Sequence, residues 1–478
     1  MENIKNLKPE RVFYYFQEIS KIPRNSKNES KISDYLVEIG KKIGVEVHQD
    51  KLKNVILRKQ ASEGYEKHEG IILQGHMDMV CEKEKNCAHD FEKNPIELII
   101  EGNYLKANKT TLGADNGIGL AIGLAILEDK ELKHPQIELL ATVSEEVDLC
   151  GALGLSDKIL KGKKFINLDS EEEGVLIVGS AGGKEIKISI PFEKDRVRER
   201  FIYKIEVENL KGGHSGIEIH KKRGNANKIL KDILLKLKEK SCLGVVEIFG
   251  GSKDNAIPRS SYAIVACEEN FKFEIEEIVR AIKDEYIETE PQLEIFIDEI
   301  KLDSVEIIEE GTILRLLNLL DLLPTGVNTW MEEYPEIVQS SSNLAIVETK
   351  DNTIEILISL RSSKEEKIKE LEEKILNIAK HLQAKYKVSE GYPEWEFQKE
   401  SELRDKAVEL YERVYGEKMK VEVVHAGLEC GIIFKKYPNM EFISLGPNIY
   451  EVHTPNEKLE ISSVERVYNY LRELIEEL

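Results

Sequence analysis

The stretch IILQGHMDMV, residues 71–80, is apolar except at Gln74, Gly75, His76 and Asp78. A short apolar run of this kind reads as a strand buried on both faces. The runs that follow alternate in type: NGIGLAIGLAILED (116–129) as a helix, QIELLATVSEE (136–146) as a strand, LSDKILKG (155–162) as a helical stretch and KFINLD (164–169) as a strand. Alternation of strands and helices argues for an α/β layer with a largely parallel sheet. Side chains two apart on a strand share a face, so His76 and Asp78 are expected to project together from the strand end. One could ligate a metal and the other orient it, and two ionisable groups in a buried run need such compensation.

Outward from this region the texture changes. After Gly183, EIKISIPFEK and RFIYKIEVEN alternate with period two, followed by the helical NANKILKDILLKLKEK, strand-like runs around VVEIFGG and SYAIVACEEN, and the charged helix KFEIEEIVRAIKDEY. NLAIVETKDNTIEILISLRSS and KEEKIKELEEKILNIAKHL repeat that theme loosely, as one large or internally duplicated α+β region. The turn-rich EGYPEW (390–395) precedes a tail that returns to helix and strand. The domains expected are residues 1–183, an inserted 184–395, and 396–478.

Composition narrows the partners. A net charge of −21 and a pI near 5.2 argue against nucleic acid or an anionic membrane. No apolar run approaches the roughly 20 residues of a membrane span, and the first residues have no signal-peptide organisation. The six cysteines include no CxxC pair, which suggests free thiols and a cytoplasmic setting.

Five polar features stand out: His76 with Asp78, Asp115 in TLGADNGIG, Glu145 with Glu146 in TVSEEVD, Asp169 in INLDSEE, and His453 in YEVHTPNE. Imidazole and carboxylate without thiolate is the donor set of a hydrolytic metal centre. Two metals about 3.5–4 Å apart need a bridging carboxylate and further ligands on each ion, and this set supplies them with one carboxylate left as a base. Each feature also has a plainer reading: an exposed strand end, a solvated acid pair, an Asx turn, a hydrogen-bonded loop histidine. The glycines Gly113, Gly117 and Gly119 match a pyrophosphate-cradling turn, but no tyrosine is followed by lysine four residues on, as that class of reductase requires.

Further along, LKGGHSG places His214 in a glycine-flanked turn, as an oxyanion donor or as an exposed turn histidine. DNAIPR carries the donor Asn255. ISLRSS ends a strand on Arg361, whose planar fork suits a carboxylate, although a surface ion pair would explain it equally. HAGLECG (425–431) is a small-residue loop whose backbone can approach a ligand.

Taken in order, GHMDMV, TLGADNGIG, SEEVDLCGA, NLDSEEEG, KGGHSG, DNAIPR, HAGLECG and the His453 loop resemble the aminoacyl-histidine dipeptidases. These are co-catalytic metallopeptidases related to aminoacylases and succinyl-diaminopimelate desuccinylases. The resemblance spans essentially the whole chain. It implies a discontinuous α/β catalytic domain, with a mostly parallel sheet flanked by helices, and an inserted α+β lid. By the same resemblance Asp115 bridges two divalent ions, Zn²⁺ with Mn²⁺ or Co²⁺ as alternatives. His76 and Asp169 complete one site, Glu146 and His453 the other; Asp78 orients His76 and Glu145 is the general base. His214 would meet the oxyanion on lid closure, and Asn255, Arg361 and the Gly427 backbone would hold the free carboxylate of a dipeptide, Xaa-His included. An N-acyl-amino-acid deacylase and a non-catalytic metal- or peptide-binding protein are the alternatives, and a homodimer is left open.

Overall fold

The protein is seen in a computed structural model that describes residues 4–197, 201–240, 244–302, 305–332 and 334–478. Its chain divides into two compact units, one made of Met1–Ser180, Phe397–Val423 and Leu428–Leu478, the other of Ala181–Glu396 and Val424–Gly427.

The first unit is built on an eight-stranded sheet in the order Glu46–Gln49, Val55–Lys59, Ile137–Thr142, Ile71–His76, Lys164–Asn167, Glu441–Ser444, Val175–Ser180, Lys420–Val424. The Ile71–His76 strand is buried along its length, as its apolar run requires. Parallel pairing runs through the four central strands Ile137–Thr142, Ile71–His76, Lys164–Asn167 and Glu441–Ser444; the pairs that flank these four are antiparallel. Apolar runs buried on both faces look alike in either direction, so the sequence pattern does not encode this change of sense. The Ala114–Glu128 helix is apolar on every side and correspondingly buried.

LSDKILKG is not helical. The preceding helix ends at Gly154, and the backbone N–H groups that a helix would have paired find side-chain acceptors instead. Those of Ile159 and Leu160 donate to the Tyr437 hydroxyl (both 3.1 Å). Those of Lys161 and Gly162 donate to Glu138 (both 2.7 Å), whose other oxygen accepts from Arg58 at 2.8 Å.

The second unit carries an eleven-stranded sheet whose main path runs Glu294–Ile300, Phe201–Glu208, Ser261–Cys267, Gly244–Gly250, Val338–Lys350, Thr353–Ser362, Gly182–Pro191, Lys385–Val388. Its pairing along this path is antiparallel. The helices Ala226–Glu239, Lys272–Tyr286, Glu310–Leu322 and Glu365–His381 contribute their apolar stripes to this unit's core. In register across the sheet, Ser341 faces Arg361 and Arg361 faces Gly183.

Cys81, Cys87, Cys150 and Cys430 are free thiols. The expectation of free thiols fails at Cys267, which is disulfide-bonded, because the absence of a CxxC pair does not report a pairing that the fold brings about; Cys242 lies outside the described residues. No helix among the described residues is long and apolar enough to cross a membrane.

Candidate metal centre

The central strand ends at His76, and the chain then turns, so Asp78 does not share a strand face with it as the spacing suggested. Asp78 folds back instead. Its Oδ1 lies 3.2 Å from His76 Nδ1 and accepts the Glu145 N–H at 3.0 Å, while its Oδ2 accepts the Glu146 N–H at 3.2 Å and the Ser26 hydroxyl at 2.8 Å. One carboxylate thus holds an imidazole and the start of the Glu145–Asp148 helix together. Ser144, just before that helix, sits at φ 56, and His453 at φ 62, left-handed backbone uncommon outside glycine.

Asp115 lies between two imidazoles. Its Oδ1 is 2.9 Å from His76 Nε2 and its Oδ2 is 3.0 Å from His453 Nε2. Asp169 Oδ1 stands 3.4 Å from His76 Nε2, and Glu146 stands 3.1 Å from His453 Nε2. Donor atoms of His76, Asp115 and Glu146 lie within 4.8 Å of one another. The loop that carries Asp115 contains a cis peptide between Asp115 and Asn116. Asn116 packs where a Cβ at Gly75 or Gly119 would strike it, and its amide donates to Leu168 O at 2.7 Å. The glycines of GHMD and GADNGIG therefore let strand end and helix start close around one asparagine.

This donor set fits a cation. Burial works against a charged His76, yet Asp169, Asp115 and Asp78 outweigh it and raise its pKa well above the ordinary value. Hydrogen bonds to Asp115 and Glu146 raise His453 to about 11. Burial raises the carboxyls of Glu145, Glu146 and Asp169, which also repel one another. Apart from His76 Nε2 at 3.4 Å, the buried Asp169 Oδ1 meets no hydrogen-bond donor among the described residues. An excess of carboxylates around two imidazoles, with an oxygen left unsatisfied, is relieved by positive charge placed among them.

The other residues singled out in the sequence lie in the second unit. His214 and Asn255 are neighbours: Gly213–His214 pairs with Ala256–Ile257, and the Ser215 N–H donates to Asn255 O at 2.8 Å. His214 Nδ1 accepts from the N–H groups of Gly216 and Ile217, both at 3.1 Å. The proton of the neutral ring is therefore on Nε2, which makes that atom a donor. Burial and the charge of Arg361 lower the His214 pKa to about 4, keeping the ring neutral. His214 and Asn255 line a cavity of about 620 Å³. Arg361 is 8% exposed; its Nη1 donates to the Tyr392 hydroxyl at 2.7 Å and its Nε has no partner among the described residues. A Cβ at Gly427 would lie 2.5 Å from the Tyr392 ring, so glycine there lets the ring close against the loop.

Sequence reasoning missed four residues. Tyr392 was visible only as part of a turn. Glu429, inside HAGLECG, accepts from Gln74 (2.7 Å) and Thr142 (2.6 Å), which accounts for the polar Gln74 in a buried strand; burial raises its pKa to about 8. Arg24 and Glu457 are buried beside the Asp115 loop and carry no local signal. Glu457 also removes the pyrophosphate reading of TLGADNGIG, because its carboxylate already takes the backbone N–H groups a phosphate would need.

His76, Glu145, Glu146 and Asp169 follow the C-terminal ends of parallel strands, and with Asp115 at a helix start and His453 in a loop they make up the donor set of a metal-dependent hydrolase. The family model described as peptidase family M20/M25/M40 matches residues 72–477, and the chain belongs to this family. It is 35% identical over 485 residues to the cytosol non-specific dipeptidase of Escherichia coli (strain K12), covering 100% of this chain and 99% of that protein. Among solved structures, the aminoacylhistidine dipeptidase of Vibrio alginolyticus superposes with a TM-score of 0.90 at 34% identity, covering 100% of this chain and 98% of that one. The aminopeptidase PepT of Bacillus cereus ATCC 10987, at TM-score 0.57 and 18% identity over 98% of this chain and 99% of that one, shares the fold.

Proposed function

We propose that this protein is a dipeptidase of broad specificity, Xaa-His dipeptides included, that works with two divalent ions, Zn²⁺ or else Mn²⁺ or Co²⁺. The observation that carries the reading is Asp115, with one oxygen toward His76 and the other toward His453, each imidazole having its own further carboxylate, Asp169 or Glu146. That is the arrangement of a bridging ligand between two half-sites, and the names of the E. coli and V. alginolyticus relatives support the substrate class.

Asp115, His76, Asp169, Glu146 and His453 would hold the ions, which when bound supply Lewis acidity to water and carbonyl. Glu145 takes the proton of the attacking water and returns it to the leaving amine. Its backbone is pinned by Asp78, so its side chain starts from a fixed point. His214, a neutral Nε2 donor, stabilises the developing oxyanion. Arg361, with Asn255 and the Gly427 backbone, binds the substrate's free carboxylate, and residues 184–395 act as the lid that sets peptide length.

The reading is tested on purified protein by metal analysis together with turnover of dipeptides and N-acetyl amino acids. Dipeptide hydrolysis is expected to exceed deacylation; the reverse would make the protein a deacylase. Glu145→Ala should retain both ions and lose turnover by at least the roughly 10²–10⁴-fold ascribed to a general base. Near-normal turnover in that variant would remove Glu145 from the role of general base.

A further inference from the structure

Glu457 is 2% exposed and lies four residues beyond His453. Its Oε2 accepts the backbone N–H groups of Leu112 (2.8 Å) and Gly113 (3.1 Å), and its Oε1 those of Ala114 (2.8 Å) and Asp115 (3.4 Å). The opening of a helix leaves its first N–H groups without partners. Here the N-cap residue is Gly113 at φ 70, with no side chain to serve them, and the acceptor comes from the His453 loop. That loop is itself closed by hydrogen bonds from Glu457 N to Thr454 O (3.1 Å) and from Thr454 Oγ1 to Glu451 O (2.8 Å).

Arg24, also 2% exposed, occupies the other side of the same segment. Its Nη1 donates to Met77 O (3.0 Å) and Asp78 O (2.8 Å), and its Nη2 donates to Gly113 O. One guanidinium therefore joins the end of the His76 strand to the start of the Asp115 helix. A carboxylate gathers the N–H groups of residues 112–115, an arginine takes a carbonyl of the same segment, and the two opposite charges compensate each other across a single stretch of backbone.

We infer that Arg24 and Glu457 are positioning residues, a buried clamp that fixes the distance between the two halves of the metal centre. Glu457 ties His453 to Asp115, and Arg24 ties Asp115 to His76 and Asp78. The inference rests on the reading that Asp115, His76 and His453 hold the ions. Residues that orient ligands without binding metal typically control metal affinity by 10- to 100-fold. A cap serving the fold alone would change stability and leave affinity and ion spacing as they were.

The test is titration of the metal-free full-length protein with Mn²⁺, read by calorimetry and by the electron paramagnetic resonance signal of spin-coupled Mn²⁺ pairs, beside thermal unfolding of the metal-free form. Glu457→Gln keeps the shape of the side chain but turns an amide N–H₂ toward part of the N–H set. It is expected to weaken at least one Mn²⁺ by about 10- to 100-fold and to diminish the coupled-pair signal. Arg24→Lys, which keeps the charge but not the three-carbonyl reach, is expected to act in the same direction and serves where Glu457→Gln folds poorly. Unchanged affinities with an unchanged coupled signal in a folded variant would overturn the clamp. Asp115→Ala is measured in parallel: if it still binds a coupled pair, the underlying assignment of Asp115 has failed, whereas loss there with no effect at Glu457 sinks the clamp alone.

Discussion

Replacing Arg361 with methionine separates a substrate anchor from a structural arginine. The guanidinium is 8% exposed, and among the described residues its Nε has no partner and its side-chain hydrogen bond is to a neutral phenol, Tyr392, at 2.7 Å. Among the described residues no carboxylate forms an ion pair with it, and a buried cation held this way carries a desolvation cost, so its removal should leave the fold as stable as before or more so. Substrate bears the loss instead. Truncating one side of a buried, hydrogen-bonded charge pair costs about 2–5 kcal/mol. On the proposed reading Asn255 and the Gly427 backbone remain to hold part of a carboxylate, which puts the expectation in the lower half of that range. At 1.4 kcal/mol per tenfold, kcat/KM on dipeptides with a free C-terminus should fall roughly 30- to 300-fold, mostly through KM. On the same dipeptides with an amidated C-terminus the variant should stay within about threefold of wild type, since the charge it lacks has no counterpart there. The assays are steady-state kinetics on the paired substrates and urea unfolding. An equal loss on amidated substrates, or destabilisation beyond about 2 kcal/mol of the kind expected when a structural group is lost, would refute the reasoning.

Tyr392→Phe keeps the ring against Gly427 and Gly183 but removes the hydroxyl that accepts from Arg361. A net hydrogen-bond contribution of about 0.5–1.5 kcal/mol predicts a KM for dipeptides raised roughly 2- to 12-fold with kcat little changed; a change confined to kcat would place the hydroxyl elsewhere in the reaction. Stability toward acid should depend on His425, whose ring is 8% exposed and bonds to Ser341 at 2.7 Å. Burial, then the neighbouring Arg361 charge, lower its pKa from 6.5 to about 3. The unfolded chain takes up a proton below about pH 6.5 and the folded one does not until about pH 3, so folding stability falls as pH falls through that window, by at most roughly 1.4 kcal/mol per pH unit from this group. In His425→Gln, denaturant unfolding measured from pH 7 to pH 4 should lose part of that slope; parallel curves for variant and wild type would dismiss His425 as its source.

What could be read from the chain and what could not divide along one physical line. His76, Asp115 and Asp169 announce themselves because an ionisable group at the end of a buried apolar run needs a compensating partner, and the need is local. Strand direction is not local: Val55–Lys59 and Ile71–His76 are alike as apolar runs, yet one pairs antiparallel and the other parallel with Ile137–Thr142. LSDKILKG misleads for a similar reason, since the groups that hold it out of a helix, Glu138 and Tyr437, come from elsewhere in the chain. Arg24 and Glu457 are the extreme case. They act on main-chain N–H and C=O groups, which every residue possesses, so nothing in the segments they serve marks where a carboxylate or guanidinium must arrive. Asp78 stands between the two kinds. Its nearness to His76 is legible from spacing, but its grip on the Glu145 and Glu146 N–H groups depends on a turn after the strand and on a second strand ending at the same level. On the proposed reading, the donor set is displayed in sequence and its supports are hidden. The supports are where a substitution far from any recognisable motif is expected to loosen that donor set without touching it.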